Sequence, residues 1–160
     1  MSGRYVDTEL ERPRWRFTLN YRLNRRLQIG VECNPAAGEV GPLASLFLLT
    51  ESDRRPAVFL GTSSDRIGSP EGTQSYYLTV AKLLPALPVS AYASLNYSEW
   101  DGEFNFPFGG SLEFGRGISA RAMYDGRRTH LLLNYFPHRY GVSLIYAWLE
   151  NFGVAFAVGL

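Results

Sequence analysis

The residues that could do catalytic chemistry in this chain are few, and their spacing assembles no recognised catalytic group. An acyl hydrolase needs a histidine, a serine and an acid on one face. His130 is followed by two leucines, and His138 falls in a predicted turn. Ser143 and Glu150 share no obvious pattern with either histidine. We therefore predict no catalytic residues, and a hydrolase that depends on His130 is kept only as an alternative.

The other reactive or ligating groups do not form a site either. Cys33 is the single cysteine, so it cannot form an intramolecular disulfide, and it has no metal ligands at a recognisable spacing. No helix follows the glycine pairs at positions 109–110 and 115–117, so these are not phosphate-binding loops. The net charge is +1, without a basic run that contains aromatic residues. We expect no metal, no cofactor and no nucleic-acid partner.

The elements that would position a site are clearest at the end of the chain, where residues 152–160 alternate between large and small side chains. Phe152, Val154, Phe156, Val158 and Leu160 alternate with glycine and alanine. A period of two indicates a β-strand. A soluble sheet places polar residues opposite its buried face, whereas the second face here is small and uncharged. This pattern is typical of a strand with lipid outside and a crowded barrel interior behind it.

Short alternating segments separated by turns recur throughout the 160 residues. We predict eleven strands and a weaker one at residues 4–10; the eleven are residues 14–23, 27–33, 43–50, 57–62, 74–84, 89–98, 104–114, 118–124, 129–136, 141–149 and 152–160. Alternate connections are short at one end and generally longer at the other, as in outer-membrane barrels. The sequence therefore predicts one all-β domain, residues 1–160, folded as a closed antiparallel up-and-down transmembrane β-barrel. About twelve strands are expected, with ten as the alternative, and both termini at the short-turn end.

Charge also differs between the two predicted ends of the barrel. The short turns carry mainly arginine, and the longer loops carry mainly aspartate and glutamate. We interpret the acidic loops as facing lipopolysaccharide through divalent cations; the alternative is that exposed turns are simply polar. No apolar run is long enough for a membrane-spanning helix. Met1 leads directly into charged sequence without a secretory signal, so either a signal has been removed or the chain is not exported.

Aromatic residues cluster near the ends of the predicted strands. Amphipathic rings prefer the membrane interface, so this clustering resembles the two girdles of a transmembrane barrel. The alternative is a soluble β protein whose tyrosines and tryptophans cover the edges of its core. The predicted girdle consists of Trp15, Tyr21, Tyr76, Tyr97, Phe104, Phe114, Tyr124, Tyr135, Tyr146, Trp148 and Phe152.

If the bulky faces point to lipid, the polar faces line the lumen. The predicted lumen-lining residues are Arg14, Arg16, Arg22, Gln28, Glu32, Tyr92, Asn96, Glu113, Arg121, His130 and Asn134. Buried charges must be paired, so we expect three of these arginines, at positions 14, 16 and 121, to pair with Glu32 and Glu113. Such a network would either plug the barrel or line a narrow water-filled passage. The alternative is that these ion pairs only stabilise the interior.

The last quarter of the chain adds a resemblance to a known family. Residues 118–160, with the sequence AMYDGR at residues 122–127, resemble the repeated hairpin of bacterial outer-membrane barrels of the exopolysaccharide-associated (YjbH-type) class. In that class a strand that ends in a tyrosine-aspartate-glycine turn precedes an alternating strand. The resemblance implies a barrel in the outer membrane of a Gram-negative envelope.

These predictions lead to an expected function. We expect an outer-membrane β-barrel without enzymatic activity, acting as a narrow passive pore or as a membrane-anchored subunit of an envelope assembly. Its expected partners are membrane lipid, lipopolysaccharide and other envelope proteins. Two alternatives remain: a soluble β-barrel that binds an apolar ligand, with its bulky faces inside, and an outer-membrane acyl hydrolase.

Overall fold

A computed structural model describes residues 1–84 and 86–159 of the chain. These residues form thirteen strands and one short helix. In chain order the elements are β1 (Ser2–Val6), α1 (Glu11–Arg14), β2 (Trp15–Arg22), β3 (Leu27–Asn34), β4 (Glu39–Leu49), β5 (Ala57–Ser64), β6 (Gln74–Leu84), β7 (Val89–Ser98), β8 (Glu103–Asn105), β9 (Phe108–Gly115), β10 (Ile118–Tyr124), β11 (Thr129–Tyr135), β12 (Tyr140–Ala147) and β13 (Asn151–Val158). None of the described residues belongs to a helix with the length and apolar character needed to span a membrane.

The strands pair antiparallel with their neighbours along the chain, and the sheet closes on itself. β1 pairs with β2 on one side and with β13 on the other, so that Tyr5 lies between Trp15 and Val154. β8 and β9 both pair with β7, and they are two halves of one barrel strand interrupted at Phe106 and Pro107. Proline interrupts the strand because it has no N–H to donate. The described residues thus form a closed antiparallel barrel of twelve strands, which confirms the predicted all-β closed barrel and its strand number.

Several strand boundaries differ from the prediction. The first strand is Ser2–Val6 rather than residues 4–10, because the chain leaves the sheet after Asp7 and turns into α1. β4 begins at Glu39, since the connection after β3 is a turn at residues 35–38 in which Gly38 has a φ of 66°. The predicted last strand ends with Leu160, and one predicted short turn begins with Pro85; both residues lie outside the described residues.

The two ends of the barrel differ in their connections. The longest ones, at residues 7–14 and 65–73, share one end, called the loop end below. The opposite end is called the short-turn end, and there the Met1 amino group donates to the Val158 carbonyl at 3.0 Å. The first residue and the end of the last strand therefore lie at the predicted end of the barrel.

The barrel has an apolar outer surface and a polar interior. Along β12, Leu144 is 59% exposed while its neighbour Ser143 is 7% exposed. Among the described residues, the buried hydrophobic side chains are limited to Val6, Ile145 and Ala147, near the loop end. A soluble barrel would fill its interior with its large apolar side chains. The arrangement is the reverse of the one that the soluble, ligand-binding alternative requires.

Candidate functional site

The interior of the barrel contains a cavity of about 950 Å³. It extends from Glu51 and Lys82 near the short-turn end to Asp65 and Arg66 at the loop end. Eleven of the residues that line it are serines or threonines, and such small side chains leave space in a barrel of twelve strands. The lumen is therefore the candidate functional site.

The wall of the cavity is made hydrophilic by hydroxyl groups that pair across neighbouring strands. The hydroxyls of Thr79 and Ser94 lie 2.7 Å apart, and those of Ser90 and Ser111 lie 2.6 Å apart. These inward positions alternate with outward apolar ones such as Val80 and Leu95. Each hydroxyl keeps acceptor capacity after pairing, so the wall can also hold water or a polar solute.

Three charged side chains meet on the inner wall of β1, β2 and β3. Arg4 and Arg16 lie directly opposite each other on β1 and β2, and both line the cavity. Glu32, which is 2% exposed, forms an ion pair with Arg16. Its Oε1 atom also accepts hydrogen bonds from Asn34 Nδ2 at 3.0 Å and from Ser64 Oγ at 2.5 Å. Glu32 is thus paired with Arg16, and three buried atoms of this group, Arg4 Nε, Arg16 Nε and Glu32 Oε2, have no hydrogen-bond partner among the described residues.

Arg12 fastens the loop of residues 65–73 across the loop end. Its Nε atom lies 2.7 Å from Glu39 Oε2. Its other nitrogens donate to the carbonyl oxygens of Ser69 at 3.1 Å, Pro70 at 2.9 Å and Thr73 at 3.1 Å. One arginine thus joins the loop after β1, the start of β4 and the loop after β5. A charged donor bound to several carbonyls makes strong hydrogen bonds, so this contact holds the loop of residues 65–73 in place across the loop end.

A second group of contacts holds the same loop from the other side. Arg66 forms a bidentate pair with Asp101, with distances of 2.5 and 2.7 Å, and lies 4.3 Å from the centre of the Trp100 ring. Asp65 accepts hydrogen bonds from the Ser98 hydroxyl at 2.6 Å and from the Trp100 N–H at 3.3 Å. The hydrogen bond from Arg66 lowers the pKa of Asp101 below its ordinary value, so the pair stays ionised at neutral pH.

His130 is held by two partners at the loop end of the lumen. Its Nε2 atom lies 2.9 Å from Asp125 Oδ2, and its Nδ1 atom accepts a hydrogen bond from the backbone N–H of Trp148 at 3.3 Å. Burial by itself would raise the pKa of Asp125. The hydrogen bonds from His130 and from backbone N–H groups have the larger effect, so the pKa of Asp125 lies below its ordinary value. Because both ring nitrogens are engaged, neither is placed to take a proton from a serine. Within residues 1–84 and 86–159, no group of three or more acidic, histidine or cysteine side chains could hold a metal ion.

The structure places most of the predicted lumen residues at the inner wall. Arg16, Gln28, Tyr92, Asn96, Arg121 and His130 line the cavity. Glu32 lies beside it in a smaller adjoining space. Asn134 is buried and donates to Ser119 Oγ at 3.3 Å.

Besides Glu32 and Asn134, three predicted lumen residues do not line the cavity. Arg14 belongs to α1, outside the strands, and donates to the Thr8 carbonyl at 3.0 Å. Arg22 and Glu113 are exposed, because each is near the end of its strand at the short-turn end. Of the ion pairs predicted for the lumen, the described residues form the one between Arg16 and Glu32.

The predicted aromatic girdle separates into two groups on the outer surface and one exception. Near the loop end lie Trp15, Tyr76, Tyr97, Phe104, Tyr124, Tyr146 and Phe152; near the short-turn end lie Tyr21, Phe114 and Tyr135. Trp148 is the exception, because it packs against the buried cluster of Val6, Ile145 and Ala147. It turns inward in the three-residue connection between β12 and β13, in which Trp148 and Leu149 have φ values of 58° and 59°.

Sequence reasoning missed Arg4, Asp65 and Arg66 as part of the site. Arg4 was within a predicted strand that was weak and misplaced, although Ser2 and Arg4 do alternate with the outward Gly3 and Tyr5. Asp65 and Arg66 fall in a polar loop whose inward path depends on distant partners such as Asp101. No local pattern in the sequence marks such a path.

Comparison with protein-family models, with curated proteins and with solved structures finds no significant match to this chain. The resemblance of residues 118–160 to YjbH-type hairpins therefore stays a prediction.

Proposed function

We propose that this chain is an outer-membrane β-barrel without enzymatic activity, and that its lumen is a narrow passive pore. The observation that carries this proposal is the polarity of the barrel, with leucine, valine and phenylalanine outside and serine, threonine and asparagine inside. Removing one such apolar side chain from water is worth about 1.5–3 kcal/mol. A belt of them around a closed barrel is favourable in hydrocarbon and unfavourable in water.

The ends of the barrel support the same proposal. Aromatic rings lie on the outer surface near both ends, as Tyr76 and Tyr21 do, at the depth where interfacial girdles occur. Exposed arginines such as Arg25 and Arg116 lie in the short turns, whereas Glu71 and Glu99 lie exposed in the loops. We therefore orient the short turns toward the periplasm and the acidic loops toward lipopolysaccharide, which divalent cations would bridge.

The closed loop end favours a second candidate function, a membrane-anchored subunit of an envelope assembly. Arg12 and Arg66 hold the loop of residues 65–73 across the loop end, so a solute would pass only if this loop moved. A pore predicts brief or small conductance steps in the wild type and larger ones when the loop is released. An anchor predicts no conductance in either case.

The first test is refolding from urea with and without detergent micelles, followed by gel electrophoresis of unheated and heated samples. A transmembrane barrel should give a compact, heat-modifiable band only with micelles. A folded, monodisperse protein in plain buffer would refute the membrane assignment. Conductance across a planar bilayer then separates the pore from the anchor, with Arg12→Met as the loop-released variant and Arg14→Met as its control.

A further inference from the structure

Arg4 is a cation on the inner wall that has no carboxylate of its own, because the nearby Glu32 is shared with Arg16. No ion pair joins Arg4 to any described residue, and its Nε atom is buried without a partner. The nearest compensating carboxylate on this wall, Glu32, is engaged by Arg16. Arg4 and Arg16 also lie directly opposite each other, and like charges in that position repel. A partly buried cation without an ion-pair partner is costly unless an anion accompanies it.

The rest of the cavity does not supply that anion. Lys82 lies 3.4 Å from Glu51, Asp125 is bonded to His130, and Asp65 is bonded to the Ser98 hydroxyl. Arg121, on β10, also lines the cavity and forms no ion pair with the described residues. Two guanidinium groups of the lumen, those of Arg4 and Arg121, are therefore left without a carboxylate partner.

The wall beside Arg4 suits a solute with both a charged group and hydroxyl groups. The next inward pair toward the short-turn end is Ser2 and Thr18, whose hydroxyls lie 2.5 Å apart. A guanidinium group matches the geometry of a carboxylate or phosphate because it can donate two parallel hydrogen bonds. The cavity continues to the short-turn end, away from the loop that closes the other end.

We propose that Arg4, assisted by Arg16 and Arg121, binds the carboxylate or phosphate group of a small polar solute that enters from the short-turn end. This inference rests on the proposed membrane barrel and deepens it, because it names the chemical class of the solute. It makes the passage selective for anions rather than indifferent to charge.

The test is a urea titration of the micelle-refolded barrel, followed by tryptophan fluorescence, in chloride, inorganic phosphate or gluconate at matched ionic strength and pH 7. A bound anion stabilises the folded state, so at ten times its Kd the urea midpoint should rise by about 0.5–1 M. Phosphate and gluconate are tested in separate titrations. A higher urea midpoint in either one supports the site, and the anion with the larger effect identifies the preferred oxyanion.

Variants assign the effect to the lumen. Arg4→Gln and Arg121→Gln should each lose at least half of the shift, whereas Arg25→Gln removes the same charge from an exposed turn and should keep it. Arg4→Lys retains the charge and replaces Arg4→Gln if that variant fails to refold; it should reduce the shift, because lysine cannot donate two parallel hydrogen bonds. A midpoint that neither anion moves, or one that moves equally in Arg4→Gln and Arg25→Gln, overturns the anion site. Failure to form a heat-modifiable band in micelles refutes the membrane barrel instead, so the two failures are distinct.

Discussion

Replacing Arg12 by methionine should release the loop of residues 65–73 while leaving the barrel strands paired. Arg12 is 8% exposed and joins this loop to Glu39 and to the loop after β1. Methionine preserves the unbranched apolar stem but removes the charge and every donor. The strands are unaffected, because Arg12 lies in α1 and takes no part in the strand pairing.

The size of the effect follows from what the substitution leaves behind. Glu39 loses its ion pair and remains almost buried, with hydrogen bonds from the Gly72 N–H at 2.6 Å and Asn34 Nδ2 at 3.2 Å. Removing one partner of a buried pair costs about 3–5 kcal/mol. Because each 1.4 kcal/mol is tenfold in an equilibrium constant, the open population of the loop should rise by about 100- to 3,000-fold.

Limited trypsin digestion in micelles measures this opening at a single bond. Arg66 is held by Asp101 and shielded, so cleavage after it requires the loop to open. When the loop closes faster than trypsin cuts, the cleavage rate follows the open population. The rate after Arg66 should therefore rise at least 100-fold in Arg12→Met. Arg14→Met, which removes the same charge from the same helix without touching residues 65–73, should stay within a few-fold of the wild type. Equal rates in the wild type and Arg12→Met would refute the reasoning.

The remaining predictions concern the outer surface, the pH dependence and the buried ion pair. Leu144→Arg should destabilise the barrel by about 2–4 kcal/mol in lipid vesicles, measured by urea unfolding, and an unchanged midpoint would contradict a lipid-facing Leu144. The pKa values of Asp101 and Asp125 lie below the ordinary 3.8. These two ionised carboxylates therefore stabilise the folded barrel fully above pH 3.8, and this stabilisation is lost as the pH falls below it. Trp100 fluorescence should report that loss in the wild type, but not in Asp101→Asn. Arg16→Gln should cost about 3–5 kcal/mol because Glu32 stays buried, and adding Glu32→Gln should restore much of it in the same unfolding assay.

The sequence predicts the barrel well because its strands obey a local rule. In segments such as residues 141–149 and 152–160, successive side chains point to opposite faces of the strand. Neighbouring strands must place their large apolar side chains on the same face, and this requirement sets the register between them. The same rule places Arg16, Gln28 and Asn96 inside, at positions between large apolar neighbours. The strand break at Phe106 and Pro107 was missed, although Pro107 is a visible signal for it.

The closed loop end could not be predicted in the same way. Its contacts join residues far apart in the chain, as between Arg12 and Glu39 or Arg66 and Asp101, and no periodic pattern selects one such pair over another. Trp148 illustrates the same limit. Its inward position follows from positive φ angles in a turn without glycine, which sequence propensities do not indicate.

The pairing of β1 with β13 also determines how the barrel can form. All other strand pairs join neighbours in the chain, counting β8 and β9 as one strand, and these can assemble as successive hairpins. The closing pair joins Ser2 to Ala157, so it carries the largest loop-closure entropy and should form last. Until then the growing sheet has two open edges, which are sites for pairing with other chains. Folding should therefore be slowed most by changes at this seam, and a circular permutant that joins the two termini should close fastest.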